Sequence, residues 1–269
     1  MPAPSAPIAH GHWSSRLAFL MATIGLSVGL GNVWRFPWLA GENGGGAFVL
    51  IYIGCVAFVA LPIIIAELLI GRRGGLTPAA SLLKLARAEG ASPGWRWGGV
   101  IAMATAFLIS SFYGVIGGWT LAYAWFAASG RIDGLTTDTA AALFEGLLAS
   151  PTRLAFWMGL FLLANILVVA RGVGRGVERA TSILMPILFL LLVFLCVYAL
   201  VAGDAARGLA FLFQPDWSEV TAQTFVRALG QAFFSVSVGM AAMILYGAYL
   251  PKSIEIAPTA AIVAGADTA

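Results

Sequence analysis

Six apolar blocks, each near or above the roughly 20 residues that cross a bilayer core, decide what this chain can fold into. They run over 17–40, 47–70, 98–128, 154–170, 180–202 and 225–250. Blocks of this length are not the short apolar stripes of a water-soluble helix. Composition agrees: 60% of the 269 residues are hydrophobic and 10% charged, where globular domains carry about 25% charged residues. Hydrocarbon offers no water to the backbone, so each block is expected as a helix. The expected fold class is all-α and polytopic, with the lipid bilayer as its partner. A seventh block starts near Ile256 and meets Ala269 after 14 residues, too few to span. The sequence therefore reads as one that stops at the start of its seventh span.

The net charge of +3 raises nucleic acid as a partner, but the basic residues lie in short connections with no basic stripe interleaved with aromatics, so none is expected. Their distribution speaks to orientation. With a cytoplasmic N-terminus, Arg16, Arg72, Arg73, Lys84, Arg87, Arg96, Arg171, Arg175, Arg179 and Lys252 fall inside, ten of the 15 basic residues. That bias follows the positive-inside rule and points to a multi-pass protein, with a bacterial inner membrane as the expected location. Cys55 and Cys196 sit inside apolar blocks, which argues against a disulfide framework or a metal site. His10 and His12 lie on a proline-rich tail over 1–12 and receive no function. Neither they nor Glu67 has a visible catalytic partner, so no enzyme is expected.

Between the blocks, Thr77 and Pro78 read as an N-cap and first helical residue, opening a short helix through about Ala88. Residues 129–153 read as the longest polar connection, on the outer side. Pro62 and Pro186 fall inside spans, where kinks are expected.

Two blocks share a pattern. Ser27, Val28 and Gly29 in the first match Ser237, Val238 and Gly239 in the sixth. Paired glycine-interrupted spans mark transporter sites built from broken helices. Glycine has a helix propensity about 1 kcal/mol below alanine, so Gly25, Gly29 and Gly31 make unwinding cheap. Freed carbonyls can then hold a cation, and the N-terminal ends of half-helices can face a carboxylate. A Gly-x-x-x-Gly helix contact also accounts for Gly25 and Gly29, but not for Asn32 or for the matching segment in the sixth block. Ionisable residues inside a membrane are functional candidates by default: Asp267 suits cation coordination, and Glu67 suits a structural role.

The run from Gly29 to Pro37, GLGNVWRFP, followed by ENGGGAF from Glu42 to Phe48, resembles the first-span signature of the neurotransmitter:sodium symporters, specifically the bacterial amino-acid transporters. Tyr113 with Trp119, Arg171 through Glu178, and QAFFSVSVG from Gln231 to Gly239 extend the resemblance over about 13–269. It implies a fold of two inverted five-helix repeats, the first over about 13–202 and the second opening over about 215–269. It also implies sodium-coupled symport of a neutral, apolar amino acid by alternating access. Sodium ions, two in a complete protein, are the implied coupling ions. By that similarity Ser27, Asn32, Ser235 and Asp267 hold one sodium beside the substrate carboxylate, and Gly25 and Val28 offer carbonyls to a second. The carboxylate meets Gly29, Gly31 and the Tyr113 hydroxyl; Phe234 acts as a lid; Ile109, Ser237 and Met240 line the side-chain pocket. Arg35 held by Gln231 resembles an outer gate and Trp13 an inner one, although His10 stands where the family usually has arginine. Tyr52, Gln231 and Ser235 match positions that bind chloride in some members, which leaves chloride dependence open. A passive channel, or an inactive or regulatory fragment of such a transporter, are the alternatives.

Overall fold

A computed structural model describes residue 13, residues 15–29 and residues 31–269; the tail with His10 and His12 lies outside them. The described secondary structure is helical apart from one isolated bridge between Gly45 and Pro215. Among the described residues four helices are long and apolar enough to cross a membrane: Gly46–Gly74, Pro93–Ala128, Pro151–Val169 and Val173–Ala202. Arg16–Ser27 and Gly31–Glu42, bent by 45° at a break, make a fifth span if counted together.

The sixth block departs from a continuous span. Helices Ala222–Ser235 and Ala242–Ala248 flank an irregular stretch over 236–241. The cause is local: Ser237 at φ 58°, Gly239 at φ 82° and Ala241 at φ 62° are left-handed and cannot continue a right-handed helix. The polar connection over 129–153 also differs from the expected loop, because it contains the helix Thr137–Leu148. Thr136 and Thr139 cap each other's backbone N–H groups there, so the residues that look like loop chemistry are a helix start.

The contacts divide the chain into two compact units, 1–103 with 173–269, and 104–172. In the first, Phe19, Phe48, Ile64, Leu68, Val236, Met243 and Val263 are fully buried. Its tightest seam joins the second span to the helix Ala242–Ala248 of the sixth block. A Cβ on Gly71 would collide with the Ile244 carbonyl, and one on Gly247 with the Leu68 carbonyl. Glycine at both positions lets the two backbones touch. The helix Pro78–Ala88 forms as expected and packs on the end of the second span. Before Pro62 the second span contains a wide π turn over Val56–Ala60, one way a helix accommodates the N–H that proline lacks. Pro186 sits inside an uninterrupted Arg179–Ala202.

In the second unit, Ala122, Phe126 and Leu147 form a small core. The Trp119 ring meets Phe144 edge-on at 5.3 Å.

Candidate cation and substrate site

The first helix of the first span ends at Ser27, after which Val28 turns extended at ψ 112° while its N–H still closes on the Ile24 carbonyl at 2.7 Å. The chain restarts as a wide turn over Gly31–Arg35. Asn32 bridges this break. Its Oδ1 accepts from the Gly29 N–H at 3.1 Å, satisfying a donor the unwinding has freed. Its Nδ2 donates to Ser235 Oγ at 3.0 Å and to the Asp267 backbone oxygen and Oδ1, each at 2.9 Å.

Asp267 lies on the helix Ile256–Thr268 and is 7% exposed. A carboxylate this deep in apolar surroundings needs partners. The Ser235 hydroxyl donates to its Oδ2 at 2.7 Å and the Tyr52 hydroxyl at 3.1 Å. The first, second, sixth and seventh apolar blocks thus converge on one carboxylate.

The break in the sixth block is tied down separately. Ser237 Oγ donates to the Leu26 carbonyl at 3.0 Å, and the Gly239 N–H donates to Glu67 Oε1 at 2.9 Å. Glu67 Oε2 is buried with no hydrogen-bond partner among the described residues. Met240 is half-buried beside this stretch.

Ser27 and Gly25 make contacts other than those of the Asn32 cluster. The Ser27 hydroxyl donates to the Thr23 carbonyl within its own helix at 3.2 Å. Gly25 faces Met185, whose sulfur lies 2.8 Å from where a Cβ would be, so this glycine serves a close helix contact. Ile109 and Tyr113 are four residues apart on one face of Arg96–Ala128, in the second unit.

Beyond the break of the first span, Arg35 Nη1 donates to Gln231 Oε1 at 2.6 Å, and the guanidinium lies 5.1 Å over the Phe234 ring. Gln231, fully buried, also donates from Nε2 to the Gly31 carbonyl at 3.0 Å. Further along, Arg227 Nη1 donates to Asn43 Oδ1 at 3.2 Å while Asn43 Nδ2 donates to the Leu39 carbonyl at 2.7 Å. Asn43 carries a motif position but no expected role; a buried asparagine in a glycine-rich turn was the available signal. Before the first span Trp13 is buried, its Nε1 donating to the Tyr246 carbonyl at 3.3 Å and its ring edge-on to Phe19 and Tyr246.

The model of the Sodium:neurotransmitter symporter family matches residues 10–133 and 142–269. The chain belongs to this family. An uncharacterized sodium-dependent transporter of Bacillus subtilis, YhdH, is 38% identical over 93% of the chain and 54% of its own length. One from Haemophilus influenzae is 35% identical over 93% of the chain and 56% of its own length. The crystal structure of MhsT in complex with L-phenylalanine superposes with a TM-score of 0.87 at 45% identity, covering 97% of this chain and 58% of that one. The chain spans about half the length of the curated relatives it matches.

The symporter family is one of transporters, and the all-helical, multi-pass architecture of this chain is that of its member MhsT. Within that frame the Asn32 cluster and the Arg35–Gln231 contact join the two glycine-interrupted blocks that the sequence pairs, and the Arg227–Asn43 contact joins the sixth block to the turn after the first.

Proposed function

We propose that this chain forms the ion- and substrate-binding part of a sodium-coupled symporter for a neutral, apolar amino acid, working by alternating access. The observation that carries the reading is the placement of the Asn32 amide, which touches the Gly29 N–H on one side and three oxygens of Ser235 and Asp267 on the other. A sodium ion seeks oxygen ligands and competes with Asn32 Nδ2 for those oxygens. Turning the amide offers Oδ1 to the ion and releases the Gly29 N–H. The released donor, with that of Gly31, suits a substrate carboxylate at the restarted first span. Ion binding in this way prepares the amino-acid site.

Gly25 and Val28 remain the proposed carbonyl donors to a second sodium, and Ser27 a proposed neighbour of the first. Phe234, already under Arg35, is the proposed lid, with Ser237 and Met240 at the pocket; Arg35, Gln231 and Trp13 are the proposed gate residues. For Tyr113 and Ile109 the family resemblance is the whole support. Each sodium moving down about 100 mV supplies roughly 2.3 kcal/mol. Tyr52 and Ser235, which match chloride-binding positions in some members, both donate to Asp267 here, so uptake is expected without chloride. The name MhsT carries with L-phenylalanine supports an amino-acid substrate. A bacterial inner membrane and a cytoplasmic N-terminus complete the reading.

The test is uptake of labelled neutral amino acids into proteoliposomes holding the protein that carries this sequence. Sodium-driven uptake that persists when gluconate replaces chloride and disappears in Asn32→Leu supports the reading. Undiminished uptake by Asn32→Leu overturns the site, and current without saturable uptake favours a channel.

A further inference from the structure

The end of the second span, the helix Pro78–Ala88 and the start of the next span carry Arg72, Arg73, Lys84, Arg87 and Arg96 against the single acid Glu89. This stretch of 25 residues is net +4, more positive than the whole chain at +3. The fold makes the stretch a fixed surface. Ser81 is fully buried against Gly74, where a Cβ would collide with it, and its hydroxyl bonds both backbone groups of Leu76. A Cβ on Gly99 would lie 2.6 Å from Ala79, so the next span is equally close. The helix is thereby pinned between the ends of two spans, at the level where bilayer meets water.

Its basic groups are not equivalent. Arg72 donates to the Ile254 carbonyl, Lys84 to the Gly74 carbonyl and Arg73 to Glu89, each within 2.9 Å. Arg87 and Arg96 are exposed with no ion-pair partner among the described residues. Arg96 lies 5.1 Å over the Trp97 ring, and Trp95 and Trp97 are 61% and 56% exposed. Exposed tryptophans with arginines at a span end suit the headgroup region. Apolar surface continues directly from it along both spans, at Leu69, Ile101 and Met103.

From charge, aromatic placement and continuity with the lipid-facing spans we infer that this surface binds the headgroups of anionic phospholipids through Arg87 and Arg96, with Trp95 and Trp97 seated among the adjoining glycerol backbones. The inference does not depend on the transport reading, so either can fail alone.

The experiment is native mass spectrometry of the protein reconstituted in equal parts phosphatidylglycerol and phosphatidylcholine, counting retained lipids. Phosphatidylglycerol should be retained preferentially. Arg87→Gln and Arg96→Gln should each lower that preference about fivefold, since a basic residue near an anionic surface contributes about 1 kcal/mol. Arg153→Gln, an exposed arginine of the second unit, should leave it unchanged. Raising salt to about 1 M, where the Debye length is about 3 Å, should reduce the wild-type preference without any substitution. Equal retention of both lipids overturns the inference, as does a preference that survives both the double substitution and high salt. Displacement of the lipid by inorganic phosphate, beyond that by chloride at equal ionic strength, would make this a free-phosphate site and overturn it too.

Discussion

The first and sixth apolar blocks break around the same three residue types, yet the two breaks are held in different ways. In the first, no described non-glycine residue leaves the right-handed half of backbone space, and a side chain, Asn32, takes up the freed N–H of Gly29. In the sixth, Ser237 and Ala241 are forced left-handed, at a cost of roughly 1–2 kcal/mol per residue, and a distant carboxylate, Glu67, takes up the N–H of Gly239. The donor freed by one break is satisfied by its own sequence. The other break is strained and satisfied from outside. A break satisfied through an exchangeable side-chain bond can change partners when an ion arrives, whereas a strained one is held in shape by the packing around it.

The contrast can be attacked most strongly at the residue the two breaks share. Asp267→Ala removes the acceptor of the buried Ser235 and Tyr52 hydroxyls and one of the three acceptors of Asn32, leaving buried donors that cost about 1–3 kcal/mol each. A loss of about 3 kcal/mol or more is expected, read as the shift in denaturant midpoint of the purified protein. Glu67→Ala should loosen only the sixth break, with a loss of about 1 kcal/mol for the Gly239 hydrogen bond, because Gly239 is exposed and its N–H can turn to water. Glu67→Gln, which keeps an oxygen for that N–H, should cost distinctly less; equal losses for the two would show that the Gly239 bond is not what matters. At the strained position the sign reverses. Ala241→Gly is expected to stabilise by about 1 kcal/mol, because glycine adopts φ 62° freely. Val28→Gly, at an extended and buried residue of the first break, should destabilise by about 2–4 kcal/mol, chiefly through the lost burial of its side chain and in smaller part through added chain entropy. If both glycine substitutions moved thermal unfolding in the same direction, the distinction between the two breaks would collapse.

Hydropathy was enough to place the uninterrupted spans, because burial in lipid depends on length and apolarity alone. It does not register the break in the sixth block, which the shared Ser-Val-Gly pattern does: Val236, Val238 and Met240 are as apolar as any helix, and nothing in a hydropathy count shows that Ser237 and Ala241 turn left-handed. The helix Thr137–Leu148 was hidden by its own cap, since threonine and aspartate serve loops and helix starts alike. Asn32, Ser235 and Asp267 could be grouped only through the family motif. Their hydrogen bonds join residues more than 200 positions apart, or 32 in the case of Ser235 and Asp267, and no local spacing encodes that. The Arg227–Asn43 contact was illegible on the same ground. Glu67 showed its cost in the sequence but not its direction, which depends on where the sixth block unwinds.

The wide turn over Val56–Ala60 lies between two residues that serve different clusters, Tyr52 on Asp267 and Glu67 on Gly239. A wide turn takes in about one residue more than a regular one, so it acts as a phase shifter on a single rod. Losing one residue inside 56–60 is then expected to be tolerated, because the turn can tighten into ordinary helix and leave both side chains facing where they do now. The same loss between 61 and 66 has no slack to absorb it and would swing Glu67 around the rod by about 100°. The history of insertions and deletions in this span should accordingly be confined to five positions.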